Sequence, residues 1–134
     1  MDEDLLRVSR GLDDSSPVRR AEAARALGGV CEEWAVRLLC RALDDYYASV
    51  RVAAAEALGC TRAPEATEAL LAALGDVDWR VRGAAALSLG RIGGAAVVEA
   101  LGRLLAEEDG YLRESAARGL ADMGEGALAE AVSA

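Results

Sequence analysis

Val50-Arg51-Val52-Ala53-Ala54-Ala55-Glu56-Ala57-Leu58-Gly59 is answered 31 residues later by Val81-Arg82-Gly83-Ala84-Ala85-Ala86-Leu87-Ser88-Leu89-Gly90. The same step links Leu27, Leu58, Leu89 and Leu120, and it links Leu12, Leu43, Leu74 and Leu105. It also links Arg20, Arg51, Arg82 and Arg113, and the pairs Ala23-Ala24, Ala54-Ala55, Ala85-Ala86 and Ala116-Ala117. Val30, Thr61, Ile92 and Met123 form a fifth column, and Leu39, Leu70 and Leu101 a sixth. Agreement across so many columns marks an internal repeat. A unit this short buries its apolar face only against its neighbours, which is the logic of a solenoid.

Each unit divides into two helical stretches. In the third copy the spacing predicts helix A from Trp79 to Arg91, with Val81, Ala85, Leu89 and Ile92 on one face. Gly93-Gly94 breaks it, and helix B runs from Ala95 to Glu107 with Val97, Val98, Leu101, Leu104 and Leu105 inward. Acidic turns lead into the A helices at Asp13-Asp14, Asp44-Asp45, Asp76-Val77-Asp78 and Glu108-Asp109, where carboxylates satisfy free N–H groups. Gly28, Gly59, Gly90 and Gly124 are expected to end A helices in left-handed turns. The expected organisation is a single domain over 1–134. It holds a half repeat at 1–12, full repeats at 13–43, 44–74 and 75–105, and a C-terminal repeat at 106–134, whose last helix offers only Leu128 and Val132 as large apolar groups. The fold class is all-α, a right-handed α-solenoid.

Composition agrees with helices packed closely. Hydrophobic residues make up 53% of the chain, much of it Ala and Leu, while aromatics are only 4% and Phe is absent. The net charge is −8 and every basic residue is Arg, a balance that opposes nucleic-acid binding, which needs many neutralised phosphates. Cys31, Cys40 and Cys60 have no CxxC spacing and read as reduced thiols of a cytoplasmic protein. No apolar run is long enough to span a membrane, and the start Met1-Asp2-Glu3-Asp4 is wrong for a signal peptide. The absence of His removes Ser–His and Cys–His pairs and His-based metal sites, so no catalytic residue, metal or cofactor is expected.

The run Val-Arg, Ala-Ala, Ala-Leu-Gly, a short break, an Ala/Leu helix and an acidic turn resembles the HEAT-like repeats named after phycobilisome (PBS) bilin lyases. Residues 50–59 carry it most fully. The first copy departs, with Arg19 in the Val column, and the fourth ends Leu120-Ala121 without Gly. Ankyrin and tetratricopeptide patterns fit less well, the first for its missing His and the second for its length and aromatics. The resemblance implies an armadillo-like superhelix whose B helices line a concave surface. It also implies a ladder in which Arg20, Arg51, Arg82 and Arg113 pair with Asp14, Asp45, Asp76 and Glu107 between neighbouring repeats. The competing reading of those arginines is a cationic stripe for an acidic ligand.

The expected working surface is the exposed B-helix face, around Trp34, Arg37, Arg41, Glu68, Leu71, Glu99 and Arg103, because those columns vary between copies while the core columns hold. Cys40 falls on that face by phase and is the thiol expected to be accessible, whereas Cys31 and Cys60 are expected among apolar neighbours. Tyr46, Tyr47, Trp79 and Tyr111 gather at turns entering A helices, either as a binding edge or as packing between turns. The function expected is a non-enzymatic scaffold presenting a helical surface to another protein, with self-association through the repeat ends as a further option. The alternatives are a bilin-lyase-type subunit handling a linear tetrapyrrole and a HEAT-like DNA glycosylase. The resemblance to HEAT-repeat iron hydroxylases does not carry their chemistry, which relies on His-Glu ligand pairs.

Overall fold

Two layers of antiparallel helices account for the chain. The computed structural model describes residues 3–133, apart from the side chains of Glu125, Leu128 and Ser133. The expected contribution of Leu128 to the last helix lies outside the described residues. Layer A holds α2 (Pro17–Ala26), α4 (Ala48–Thr61), α6 (Trp79–Ile92) and α8 (Gly110–Asp122). Layer B holds α1 (Glu3–Gly11), α3 (Glu33–Ala42), α5 (Thr67–Ala73), α7 (Ala95–Leu104) and α9 (Glu125–Ser133), with a 3-10 turn at Pro64–Ala66 ahead of α5. No strand occurs among the described residues. The chain is an α-solenoid.

The core is the set of repeat columns. Leu27, Leu58, Leu89 and Leu120 of layer A are fully buried, as are Leu39, Leu70 and Leu101 of layer B and Val50 and Val81 between them. Burying a Leu side chain contributes about 1.5–3 kcal/mol, so these columns supply the main drive for stacking. Ala24, Ala54, Ala55, Ala85, Ala86 and Ala116 fill the rest of the interface between A helices with no exposed surface.

Small residues set the spacing of layer A. A Cβ on Gly59 would lie 2.8 Å from Ser88 Cβ, and one on Gly119 would lie 2.8 Å from the Ala86 carbonyl oxygen. Ser88 Oγ, buried between the helices, donates to the Ala55 carbonyl at 2.6 Å. Gly59 and Gly90 are therefore helix-interior residues, contrary to the expectation that they close A helices in left-handed turns. The positive-φ glycines are Gly29, Gly93, Gly94 and Gly124, of which only Gly124 was expected in that role.

The two layers differ in spacing, and this corrects a second expectation. Successive A helices touch along much of their length, whereas in layer B α7 and α9 pack less fully and α3 and α5, and α5 and α7, meet only slightly. A stack bends toward its more closely spaced layer. The closer A layer therefore favours a curve with the A helices, not the B helices, on its inside.

Candidate functional site

The arginine column forms rungs between turns. Arg20 Nε donates to Asp45 at 2.8 Å and Nη2 to the same carboxylate at 3.2 Å. Arg51 repeats this with Asp76 at 2.9 and 3.2 Å. Arg82 reaches Asp109 through Nη2 at 3.2 Å. Each Arg also uses Nη1 to hold a carbonyl of its own turn, that of Asp14, Asp45 or Asp76. Arg113 does only this, donating to the carbonyls of Glu107 and Glu108. Arg20, Arg51 and Arg82 are engaged in cross-linking the stack rather than forming an open cationic stripe.

Two acceptors expected from the sequence are corrected. Asp14 meets Arg19 at 3.7 Å and accepts from the Ser16 N–H, so its carboxylate is not the partner of Arg20. Glu107 stands in the right column but makes no ion pair among the described residues, and Asp109 replaces it. The reason is side-chain length. Asp45 and Asp76 each accept from a backbone N–H two residues on, a turn that a short carboxylate closes and Glu does not. In the fourth turn Asp109 does this work, capping Tyr111 and Leu112 while it binds Arg82.

The B-helix residues line several shallow grooves. Arg37 lines a groove with Cys31, Cys40 and Glu65, and Arg41 lines a small one beside Leu12 and Asp45. Glu99 and Arg103 lie between α7 and α9, and again, with Leu71, between α5 and α7. Glu68 is exposed and lines none of these. Arg37 pairs with Glu33, and Arg103 with Glu99, each one turn away on its own helix. Trp34 is half-buried against the core with its Nε1 donating to Glu32, so it is not the free ring expected there. Cys40 is half-buried too, and burial pushes its thiol pKa up, whereas Cys31 and Cys60 are exposed.

A different concavity lies on layer A. A groove of about 480 Å³ crosses α4 and α6 to the start of α8. Val52, Ala84, Leu87 and Ser88 line it, with Glu56, Arg91 and Cys60 toward one end. Trp79, Arg80 and Tyr111 line the other end, and the two rings meet edge to face at 4.7 Å. Trp79 is 51% exposed and Tyr111 44%. Tyr111 lies over α6 because residue 83 is Gly: a Cβ there would come within 3.0 Å of Tyr111 Cζ. Arg91 Nη1 approaches Cys60 Sγ at 3.7 Å.

Sequence reasoning passed over this groove, although its signal was present. The columns Arg25/Glu56/Leu87/Arg118 and Ala21/Val52/Gly83/Glu114 vary as freely as those on the B helices. The Gly, Ala and Ser residues that let A helices approach closely also said which layer is inside. No group of His, Cys, Asp or Glu among the described residues could hold a metal ion, and no described helix is long and apolar enough to cross a membrane.

A family model for HEAT repeats matches residues 7–76 and 37–121, which together span most of the sequence. The chain belongs to the HEAT-repeat family. Among solved structures, this HEAT chain is similar to the complex of CpcE and CpcF of phycocyanin lyase from Nostoc sp., at 28% identity and a TM-score of 0.81. That match covers 92% of this chain and 55% of the other, so the chain spans about half the length of that protein. An engineered protein matches at 24% identity and a TM-score of 0.70, over 97% of this chain and 68% of its own. Human deoxyhypusine hydroxylase matches at 24% and 0.63, over 98% and 55%. These last two share the fold. None of the curated proteins compared matches the sequence.

Proposed function

We propose that this HEAT-repeat chain is a non-enzymatic protein-binding module whose working surface is the groove on the inner, A-helix face. The observation that carries the reading is the pairing of half-exposed Trp79 and Tyr111 at the mouth of a groove with an apolar floor. Rigid aromatic rings flanked by Arg are the side chains that dominate binding energy at protein interfaces. The likeness to a two-protein complex, CpcE with CpcF, supports a protein as the partner.

The test is affinity capture from the native host with mass spectrometry, followed by affinity measurement on the recovered partner. Trp79→Ala with Arg91→Glu should weaken binding strongly, while Trp34→Ala with Arg41→Glu should not. The reverse result would return the site to the B-helix face around Arg37, Glu68, Leu71, Glu99 and Arg103.

A second reading has one specific support. The similarity to phycocyanin lyase favours a lyase-type subunit that binds a linear tetrapyrrole. Mixing the chain with a free bilin and following visible absorbance separates the two readings. A shift lost in Trp79→Ala would favour the pigment.

A further inference from the structure

Of the exposed large apolar side chains among the described residues, Leu6 and Val132 stand apart on α1 and α9, and the other six gather. Val18, Tyr46, Tyr47, Val77, Trp79 and Tyr111 all stand in turns entering A helices or within the first two residues of those helices. They form a row along one edge of the stack, joining the groove at Trp79 and Tyr111. Contiguous exposed apolar surface of this kind marks an interaction site. The rings are paired upright: Tyr46 and Tyr47 meet at 5.3 Å with their planes 74° apart, and Trp79 and Tyr111 at 4.7 Å and 86°. Arg20 also lies over the Tyr47 ring, 5.7 Å from its centroid, so that ring is held in place from within the stack.

Charge narrows the partner. Arg20, Arg51 and Arg82 of this edge are engaged by Asp45, Asp76 and Asp109, and Arg80 by Asp78. Asp13, Asp44, Glu107 and Glu108 of the same turns are exposed and make no ion pair among the described residues. Arg113, exposed and bonded only to carbonyls, offsets part of this, and the balance beside the rings stays negative, which favours a basic partner and opposes nucleic acid or a phosphorylated peptide.

Geometry narrows it again. Adjacent packed helices stand about 8–10 Å apart, so a chain crossing layer A meets a new helix at that interval. A polyproline II segment has three residues per turn and rises about 3.1 Å per residue, so every third residue faces the same way about 9 Å along. The two periods match. Aromatic-lined surfaces hold such segments well, since the ligand is ordered before it binds.

We propose that this edge binds an extended, proline-rich segment carrying Arg, with its proline rings against the exposed aromatic rings of Tyr46, Tyr47, Trp79 and Tyr111 and its cations near Asp44, Glu107 and Glu108. The proposal rests on the reading of the chain as a protein-binding module and names the class of partner.

Calorimetric titration of the full chain with a peptide of repeated Arg-Pro-Pro triplets tests it, beside a matched Arg-Ala-Ala peptide and a Glu-Pro-Pro peptide. Only Arg-Pro-Pro should bind well, and added salt should weaken it. Trp79→Ala and Tyr47→Ala should each weaken it about tenfold or more, as loss of an aromatic anchor does. Both side chains are about half exposed, so circular dichroism should find the variants folded. Equal binding of Arg-Ala-Ala, or full binding by folded Trp79→Ala, would overturn the proposal. So would no binding of Arg-Pro-Pro. If the captured partner still depends on Trp79 and Arg91 in that case, the protein-binding reading survives and only the peptide class is lost.

Discussion

Gly59 of α4 faces Ser88 of α6 so closely that a methyl group on Gly59 would lie 2.8 Å from the Ser88 Cβ. Ser88 cannot retreat, because its hydroxyl is bonded to the Ala55 carbonyl. Ordinary helix propensity would favour Ala over Gly by about 1 kcal/mol. Here overpacking opposes it at about 1–3 kcal/mol, and it wins. Gly59→Ala should lower stability, and Gly119→Ala should do so more, since its neighbour is the Ala86 backbone. Gly126→Ala, with open space around it, should be neutral or stabilising. Urea unfolding of the three variants checks the order. A stabilised Gly119→Ala would mean that the A helices are not so close, and the curve would lose its stated inner face.

The filled rungs should matter more than the unfilled one. The Arg51 and Asp76 side chains are each 13% exposed, so removing either strands a partly buried charge. Asp76→Asn should cost about 1.5–3 kcal/mol, the scale for hydrogen bonds to charged groups. Arg113→Ala removes bonds to two carbonyls and no ion pair, and should cost less. A double-mutant cycle on Arg51 and Asp76 isolates the pair, and zero coupling would reduce the ladder to decoration.

The architecture was legible because a repeat states its core once per copy. Columns such as Leu27/Leu58/Leu89/Leu120 need only counting, and all four are fully buried. The site was not legible from helical phase. Phase separates exposed from buried on one helix, but the inner face depends on the relative spacing of two layers. That spacing is set by Gly59, Ser88, Gly90 and Gly119 contacting partners about 30 residues away. The exchange of Glu107 for Asp109 was hidden for a similar reason. Column arithmetic counts residues, while closing the turn depends on one methylene.

Thiol reactivity should invert the order expected from sequence. Cys31 and Cys60 are exposed, whereas Cys40 is half-buried and its pKa is raised by that burial. The thiolate is the reactive form, so an aromatic disulfide reagent at neutral pH should consume two thiols quickly and the third slowly. Unfolding the chain should equalise them. Fast labelling of Cys40, read by mass spectrometry, would contradict its placement against the core.

Acid should destabilise the chain in a defined window. Arg80, through its guanidinium and its backbone N–H, holds the Asp78 carboxyl at about 2, below its ordinary value of 3.8. Arg82, with the N–H groups of Leu112 and Tyr111, lowers Asp109 as well. Burial pushes Asp45 up, but the Arg20 guanidinium and the Tyr47 N–H outweigh it, and its pKa falls too. A carboxyl lowered in the folded state binds fewer protons there than when unfolded, so stability rises with pH between the two values. The contribution is therefore fully present above the ordinary carboxylate value and is lost as pH falls through the folded one. The melting temperature should stay level from neutral pH to about pH 5, then fall steadily toward pH 2. Asp45→Asn with Asp109→Asn should start less stable at neutral pH and lose less on acidification, because two of the three titrating groups are gone. Thermal melts by circular dichroism at stepped pH would decide it. An unchanged acid slope in the double variant would show that the rungs are not what acid breaks.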